Sequence, residues 1–260
     1  MSFKNYISKL VFCNGISNSF KTFTALIINS KRYSSRFKKN TLDLNNNETF
    51  VYHLKSGKNK FKFYLRTFKG DIDIFYEVFW RKTYDRHLSF LKKEPVIIVD
   101  LGAHIGMTSV YLALKYPHSK IYAIEASSEN FELLKVNTEA FKNITCIHAA
   151  AYFEDGMINF GNNELSYNQM ISENGDPVKA LSIETLMRTH DLSHIDLIKI
   201  DIEGGETELL SRNNSWLKLV DHTIIEIHTP YTPSDLRDDI QPYGFEIKSE
   251  KDSVLFAAKK

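Results

Sequence analysis

The feature that most constrains this chain is an alternation that begins at Pro95. From there to the end, short β-branched apolar runs alternate with segments whose apolar residues recur at helical spacing, the pattern of βα units wound around a parallel sheet. The runs are Val96 to Leu101, Lys120 to Glu125, Ile144 to His148, Ile195 to Asp201 and Thr223 to His228. Each reads as a buried strand. Helices are predicted between them over Gly106 to Lys115, Glu129 to Ala140 and Gly205 to Arg212, with Ser128 capping the second. Past the fifth run, Ser234 to Ile240 suits a short helix, and Phe245 to Lys248 and Ser253 to Ala257 read as two strands joined by a charged tight turn. The expected fold is α/β: a seven-stranded sheet with helices on both faces and an antiparallel last strand.

Upstream of this domain, assigned to residues 95–260, two further regions are expected. Thr49 to Leu54 and Lys60 to Arg66 alternate as a hairpin across Ser56-Gly57, and Asp73 to Trp80 looks helical. Residues 48–94 thus form an N-terminal α/β cap packed on the core. Residues 1–47 are a basic extension, since the first 42 hold eight Lys or Arg and no acid, leaving 25 basic against 32 acidic residues elsewhere. Termini are commonly poorly ordered, so a solvated tail is the first expectation. Peripheral contact with an anionic membrane or acidic partner is the second. A transit peptide is the third and is disfavoured because Lys outnumbers Arg. No apolar run approaches the roughly 18 to 20 residues of a membrane span. Cys13 and Cys146 lack disulfide or zinc spacing, which points to a reducing cytoplasm.

The first strand leads into Asp100-Leu101-Gly102-Ala103-His104-Ile105-Gly106, a small-residue turn at the start of a helix. Gly102 and Ala103 let a ligand approach the backbone closely. A dinucleotide fingerprint needs glycines in the order G-x-G-x-x-G, and here His104 and Met107 occupy the second and third positions. Asp100 would repel a pyrophosphate but suits a ligand bearing an ammonium and a sulfonium. S-adenosylmethionine (SAM) carries both. Glu125 ends the second strand 23 residues after Gly102, where an acid accepts hydrogen bonds from ribose hydroxyls in nucleotide-binding βαβ units.

Together with Ala123-Ile124-Glu125-Ala126, His148-Ala149-Ala150 and above all Asp196-Leu197-Ile198-Lys199-Ile200-Asp201-Ile202-Glu203-Gly204-Gly205-Glu206, this loop resembles the FkbM family of SAM-dependent methyltransferases. The resemblance covers about residue 60 onward, with Gly205 standing where the family more often has Ala. It implies a Rossmann-like class I fold, SAM as cofactor, and methyl transfer to a hydroxyl of a sugar, glycan or small natural product. Cofactor contacts are expected from Asp100, Gly102, Ala103, His104, Gly106, Glu125, Ala126, Ala149, Ala150 and Asp201.

Methyl transfer from a sulfonium is an in-line displacement, so the protein must position an acceptor and, for an alcohol, take its proton. Ligands in open α/β sheets lie beyond the carboxyl ends of the strands. Catalytic roles are therefore expected of Asp201, Glu203, His228 and Lys199. Lys199 and Asp201, two apart on one strand, face the same side and can pair, unless Lys199 snorkels to the surface. Glu226 and His228 stand in the same relation, and His228 suits general-base work, although an exposed strand-end histidine is the plainer alternative. Asp201, Glu203 and His228 could instead take a divalent metal, but their spacing is not diagnostic and no metal is expected. A non-catalytic SAM-binding module and a nucleic-acid methyltransferase are the competing functions. The acids at the fourth strand weigh against the first, and the net −7 of the chain beyond residue 42 weighs against the second. No nucleic-acid partner is expected, and the sequence leaves oligomeric state open.

Overall fold

The computed structural model describes residues 3–43, 45–161, 170–171, 175–251 and 253–259. Residues 3–38 form two helices, α1 (Phe3–Ile16) and α2 (Phe20–Lys38), which overturns the expectation of a solvated tail. Cys13, Leu26 and Tyr33 are almost wholly buried. Asn18 donates to the His53 carbonyl at 2.9 Å, and Asn29 donates to the Tyr52 hydroxyl at 2.9 Å. These partners lie on the hairpin of β1 (Thr49–Ser56) and β2 (Asn59–Arg66), paired antiparallel as expected. The basic side chains hid an amphipathic pattern: α2 buries Thr22, Ala25, Leu26, Asn29 and Tyr33, residues at three- and four-residue spacing on one face.

The segment read as one helix starts earlier, as α3 (Asp71–Phe75), and widens into a π-helical turn over Tyr76–Arg81 before α4 (Asp85–Leu88). Arg66, 1% exposed, holds this layer to the core. Its guanidinium forks onto Asp71, with Nε to Oδ2 and Nη2 to Oδ1 each at 2.9 Å, and reaches Asn130 at 2.8 Å and Glu129 at 2.9 Å. Both groups of the buried pair are thereby satisfied, the condition under which such a pair is tolerated.

The core follows the predicted order: β3 (Ile97–Leu101), α5 (Met107–Lys115), β4 (Lys120–Glu125), α6 (Ser128–Thr138) and β5 (Ile144–His148). The chain next builds a four-stranded side sheet that the sequence analysis missed: β6 (Ala150–Ala151), β7 (Gly156–Gly161), β8 (Met170–Ile171) and β9 (Asp176–Leu181). It returns through α7 (Ile183–Thr189) to β10 (Ile195–Ile200), α8 (Glu206–Ser211), β11 (Val220–Glu226), α9 (Pro233–Ile240), β12 (Phe245–Lys251) and β13 (Val254–Lys259). The cap of α6 is Ser127, which accepts from Asn130, rather than Ser128.

The seven-stranded sheet has the order β12-β13-β11-β10-β3-β4-β5. β13 runs antiparallel to both its neighbours while β3, β4, β5, β10 and β11 pair parallel. The two-residue period of the strands sorts the core. Ile98, Leu197 and Ile224 point toward α5 and the N-terminal layer. Val99, Ile198 and Ile225 point toward the face covered by α7, α8 and α9. Between β3 and β10 the winding reverses, and an α/β sheet opens its ligand crevice beyond the strand ends at such a switch point.

Candidate active site

At that switch point lies a cavity of about 340 Å³, lined from the ends of β3, β4, β10 and β11 and from the N-terminal layer. The turn after β3 is held by close contact. Gly102 has φ +72°, and a Cβ there would fall 1.8 Å from the Asp201 carbonyl oxygen, so only glycine lets the β3 and β10 ends meet. Gly102, Ala103, His104, Glu125, Ala126, Ala149 and Ala150 all line the cavity. Gly106 does not. It opens α5 at φ +92°, and a Cβ would press on Leu134 of α6 at 2.9 Å, which makes it a packing glycine.

Asp100 is also displaced from its expected place. It is fully buried, outside the cavity wall, accepting from Ser109 at 2.6 Å and pairing with Lys199 at 3.3 Å. Register explains this, because Lys199 and Asp100 are direct partners across β10 and β3. Lys199 does not snorkel. Its ammonium, 3% exposed, touches Asp100, Asp201 at 3.2 Å and the carbonyls of Gly102 at 3.0 Å and Leu101 at 3.3 Å. Burial pulls its pKa down, but Asp201 and Asp100 outweigh that and hold it well above the usual lysine value.

Glu125 is buried yet faces the cavity. One oxygen accepts the His104 amide and the other the Ser127 amide, both at 2.8 Å. Burial raises its pKa, and these backbone bonds partly offset the rise. A side-chain hydrogen bond from Asn130 joins them, and the carboxylate still has acceptor capacity unused. His104 sits in the left-handed region at φ +52°, with Nε2 3.6 Å from Asp71. Burial depresses its pKa to about 4 despite Asp71, so the ring is neutral and belongs to the link between cap and loop. The His148 ring stacks on Phe131 at 4.7 Å, away from the cavity.

The far end gathers Asp201, Glu203, Glu226 and His228. His228 Nδ1 lies 3.0 Å from Glu206 Oε1, and its Nε2 is 3.3 Å from Glu203 and 4.0 Å from Asp201. Glu206, fully buried, is fixed by the amides of Ile202 at 3.2 Å and Gly204 at 2.9 Å. Burial works against the imidazolium, yet the Glu206 bond and the charges of Glu203 and Asp201 lift the His228 pKa to about 9. Burial together with Asp201 pushes Glu203 to about 8 and Glu226 to about 7. Groups so displaced in one cavity mark a place for proton chemistry.

Oxygen or nitrogen atoms of Asp201, Glu203 and His228 all lie within 4.8 Å of one another, so the trio left open in the sequence does converge. Glu206 closes the most distinctive motif, yet only the fold shows that it binds the His228 ring. Glu77 and Tyr84 are further residues of the site. Both come from the N-terminal layer to line the cavity, a placement that no local pattern signals.

Fold and cavity define an α/β enzyme-like domain with its site at the sheet's switch point. The Methyltransferase FkbM domain family matches residues 100–247, and the chain belongs to that family. It is similar to the hexuronic acid methyltransferase AglP of Haloferax volcanii, 24% identical over 148 residues that cover 55% of this chain and 61% of that protein. It is also similar to methyltransferase sdnD of Sordaria araneosa, 26% identical, covering 68% of this chain and 83% of that one. Among solved structures, it is similar to the methyltransferase FkbM of Methylobacillus flagellatus at 17% identity and a TM-score of 0.45, covering 65% of this chain and 45% of that chain.

Proposed function

We propose that the chain is a SAM-dependent methyltransferase acting on a hydroxyl of a sugar, glycan or small natural product. The observation that carries this reading is the continuity of one cavity between Glu125 and the small-residue wall at one end and the His228–Glu206 pair at the other. The name of the Haloferax volcanii relative, a hexuronic acid methyltransferase, supports a sugar acceptor.

The residues fit the cofactor. Gly102 and Ala103 bring the backbone of the turn after β3 to the cavity wall. Glu125 has acceptor capacity left for ribose hydroxyls, and Ala126, Ala149 and Ala150 offer small apolar side chains to the cavity where an adenine ring would lie. Asp100 acts behind this wall by fixing Lys199, and Lys199 in turn fixes Asp201. When bound, SAM supplies an electrophilic methyl group.

His228 is the proton acceptor. Glu206 accepts the Nδ1–H and so sets the ring's tautomer, leaving Nε2 toward the cavity to receive the acceptor's hydroxyl proton. Asp201 and Glu203 hold the resulting imidazolium. With a resting pKa of about 9, His228 works in its minor neutral form at pH 7, so the rate rises with pH. A non-catalytic module has no need of this pair. A phosphate-bearing polymer would meet Glu77, Glu203 and Glu226 in the cavity wall, which disfavours nucleic acid.

Calorimetry with SAM and with NAD tests the cofactor: binding of SAM at about micromolar affinity and none of NAD is expected, and the reverse sinks the reading. Methyl transfer from labelled SAM across hydroxylated sugars, small natural products and RNA then tests the acceptor class.

A further inference from the structure

We infer that α2, with α1 beside it, is a docking face for an anionic membrane surface. The helix buries one side against the hairpin and leaves the other in solvent. Along that outer side Phe20, Ile28, Lys31 and Lys38 recur at helical spacing, with Lys21 and Lys39 at its edge. Phe20 is 80% exposed and Ile28 56%. On α1, Lys4, Ile7 and Val11 repeat the pattern, Val11 being 67% exposed.

Two observations meet here independently. Of the eleven large apolar side chains that stand exposed among the described residues, six belong to these two helices: Tyr6, Ile7, Val11, Phe20, Ile28 and Phe37. An apolar surface so concentrated marks a contact site rather than random exposure. The same stretch carries eight Lys or Arg and no acid within its first 42 residues, whereas the rest of the chain is net negative.

Charge alone would suit an acidic protein partner, and apolar exposure alone would suit a second copy of the chain. A second copy, however, would oppose like charges across the contact. Apolar and cationic side chains interleaved on one helix face match a bilayer surface, where the rings and aliphatic groups enter the acyl boundary and the ammonium groups stay among anionic headgroups. Arg32 and Arg36 are spent within the fold, Arg32 paired with Glu48 and Arg36 lying over the Phe68 ring, so the lysines provide the attraction. No helix among the described residues is long and apolar enough to cross a membrane, and the contact is peripheral.

The full chain, sedimented with vesicles of phosphatidylcholine alone or mixed with phosphatidylserine, should partition at least about tenfold more onto the mixed vesicles and leave them at high salt. A Phe20→Ser, Ile28→Ser double variant should lose most of this binding, and a Lys31→Glu, Lys38→Glu variant should lose its dependence on phosphatidylserine. Both variants alter solvent-facing positions, so unchanged melting temperatures and SAM affinity should accompany the loss. Equal partition onto the two vesicles, no partition onto either, or double variants that still bind would overturn the inference. So would light scattering that shows a dimer abolished by Phe20→Ser, which would make the face a contact between copies.

Discussion

The two ends of the cavity handle their carboxylates differently. At the β3–β4 end, Glu125 is held by two backbone amides at 2.8 Å, and the neighbouring Asp100 is spent on Lys199 and Ser109. Both Glu125 oxygens have fixed amide donors, and Asp100 is held by one hydroxyl and one ammonium, so that end is organised before any ligand arrives. At the β10–β11 end, Glu203 and Asp201 stand 3.3 and 4.0 Å from a single imidazole with Glu226 on the same cavity wall, and burial with mutual repulsion lifts Glu226 and Glu203 to about 7 and 8. That end stores unfavourable charge. A preformed end suits uniform binding of a cofactor, whereas an end whose protons are loosely held suits a step in which a proton moves.

The contrast breaks first at His228. Its replacement by Asn should lower kcat by about 10² to 10⁴, the scale of general acid–base catalysis, and should also lower the melting temperature at neutral pH, where the raised pKa of His228 contributes stability, but not at about pH 10. In the unmodified protein, log kcat/KM should rise from pH 6 to about 9 as His228 loses its proton. A flat profile and a fully active variant would remove His228 as base and leave Asp201, on the same cavity wall, as the candidate.

Next in size comes the pair of acids around Lys199. Asp100→Asn should cost about 2 to 4 kcal/mol of stability by chemical denaturation, because it leaves a buried ammonium short of one carboxylate. Asp201→Asn should cost less, since its side chain is 22% exposed and water can take its place, but it should lower kcat. Equal losses of stability would show that the two ends are not distinct. At the cofactor end, Glu125→Ala should weaken SAM binding by about 1.5 to 3 kcal/mol, the range for hydrogen bonds to a charged group. An unchanged dissociation constant would place the ribose elsewhere.

Much of this was legible because it is local. The βα alternation follows from apolar period, and Lys199 and Asp201 share a side because strands repeat every two residues. The place of Asp100 behind the cavity wall has a non-local cause: only the β3–β10 register sets it opposite Lys199. Gly106 was misread because a loop glycine looks the same whether it admits a ligand or, as here, Leu134 of α6. The N-terminal helices were obscured by charge, since eight cations drew attention from the apolar face beneath them. Glu77 and Tyr84 reach the cavity through cap packing that sequence spacing does not encode.

The smallest expected effect is the most direct test of stored charge. Glu203 has a pKa of about 8 against an ordinary 4.5, so its ionisation costs stability. That cost is absent below about pH 4.5, grows as pH rises, and is complete above 8. Glutamine at this position resembles the protonated acid at every pH. Glu203→Gln should therefore melt like the unmodified protein at pH 5 and show a gain of about 1 kcal/mol at pH 9. His228 opposes the gain. Its pKa, raised to about 9, gives stability that is full below 6.5 and lost through 9, and glutamine removes one of the charges that raise it. That attraction is already contained in the Glu203 pKa of about 8, so the gain should build between about pH 5 and 8 and level off above that. The corresponding change at the other end, Glu125→Gln, should bring no such gain, because it would set an amide NH₂ against one of the two backbone amides that the carboxylate accepts. A melting temperature for Glu203→Gln that is lower at every pH would show that Glu203 is satisfied by His228, and that the two ends of the cavity hold their charge alike.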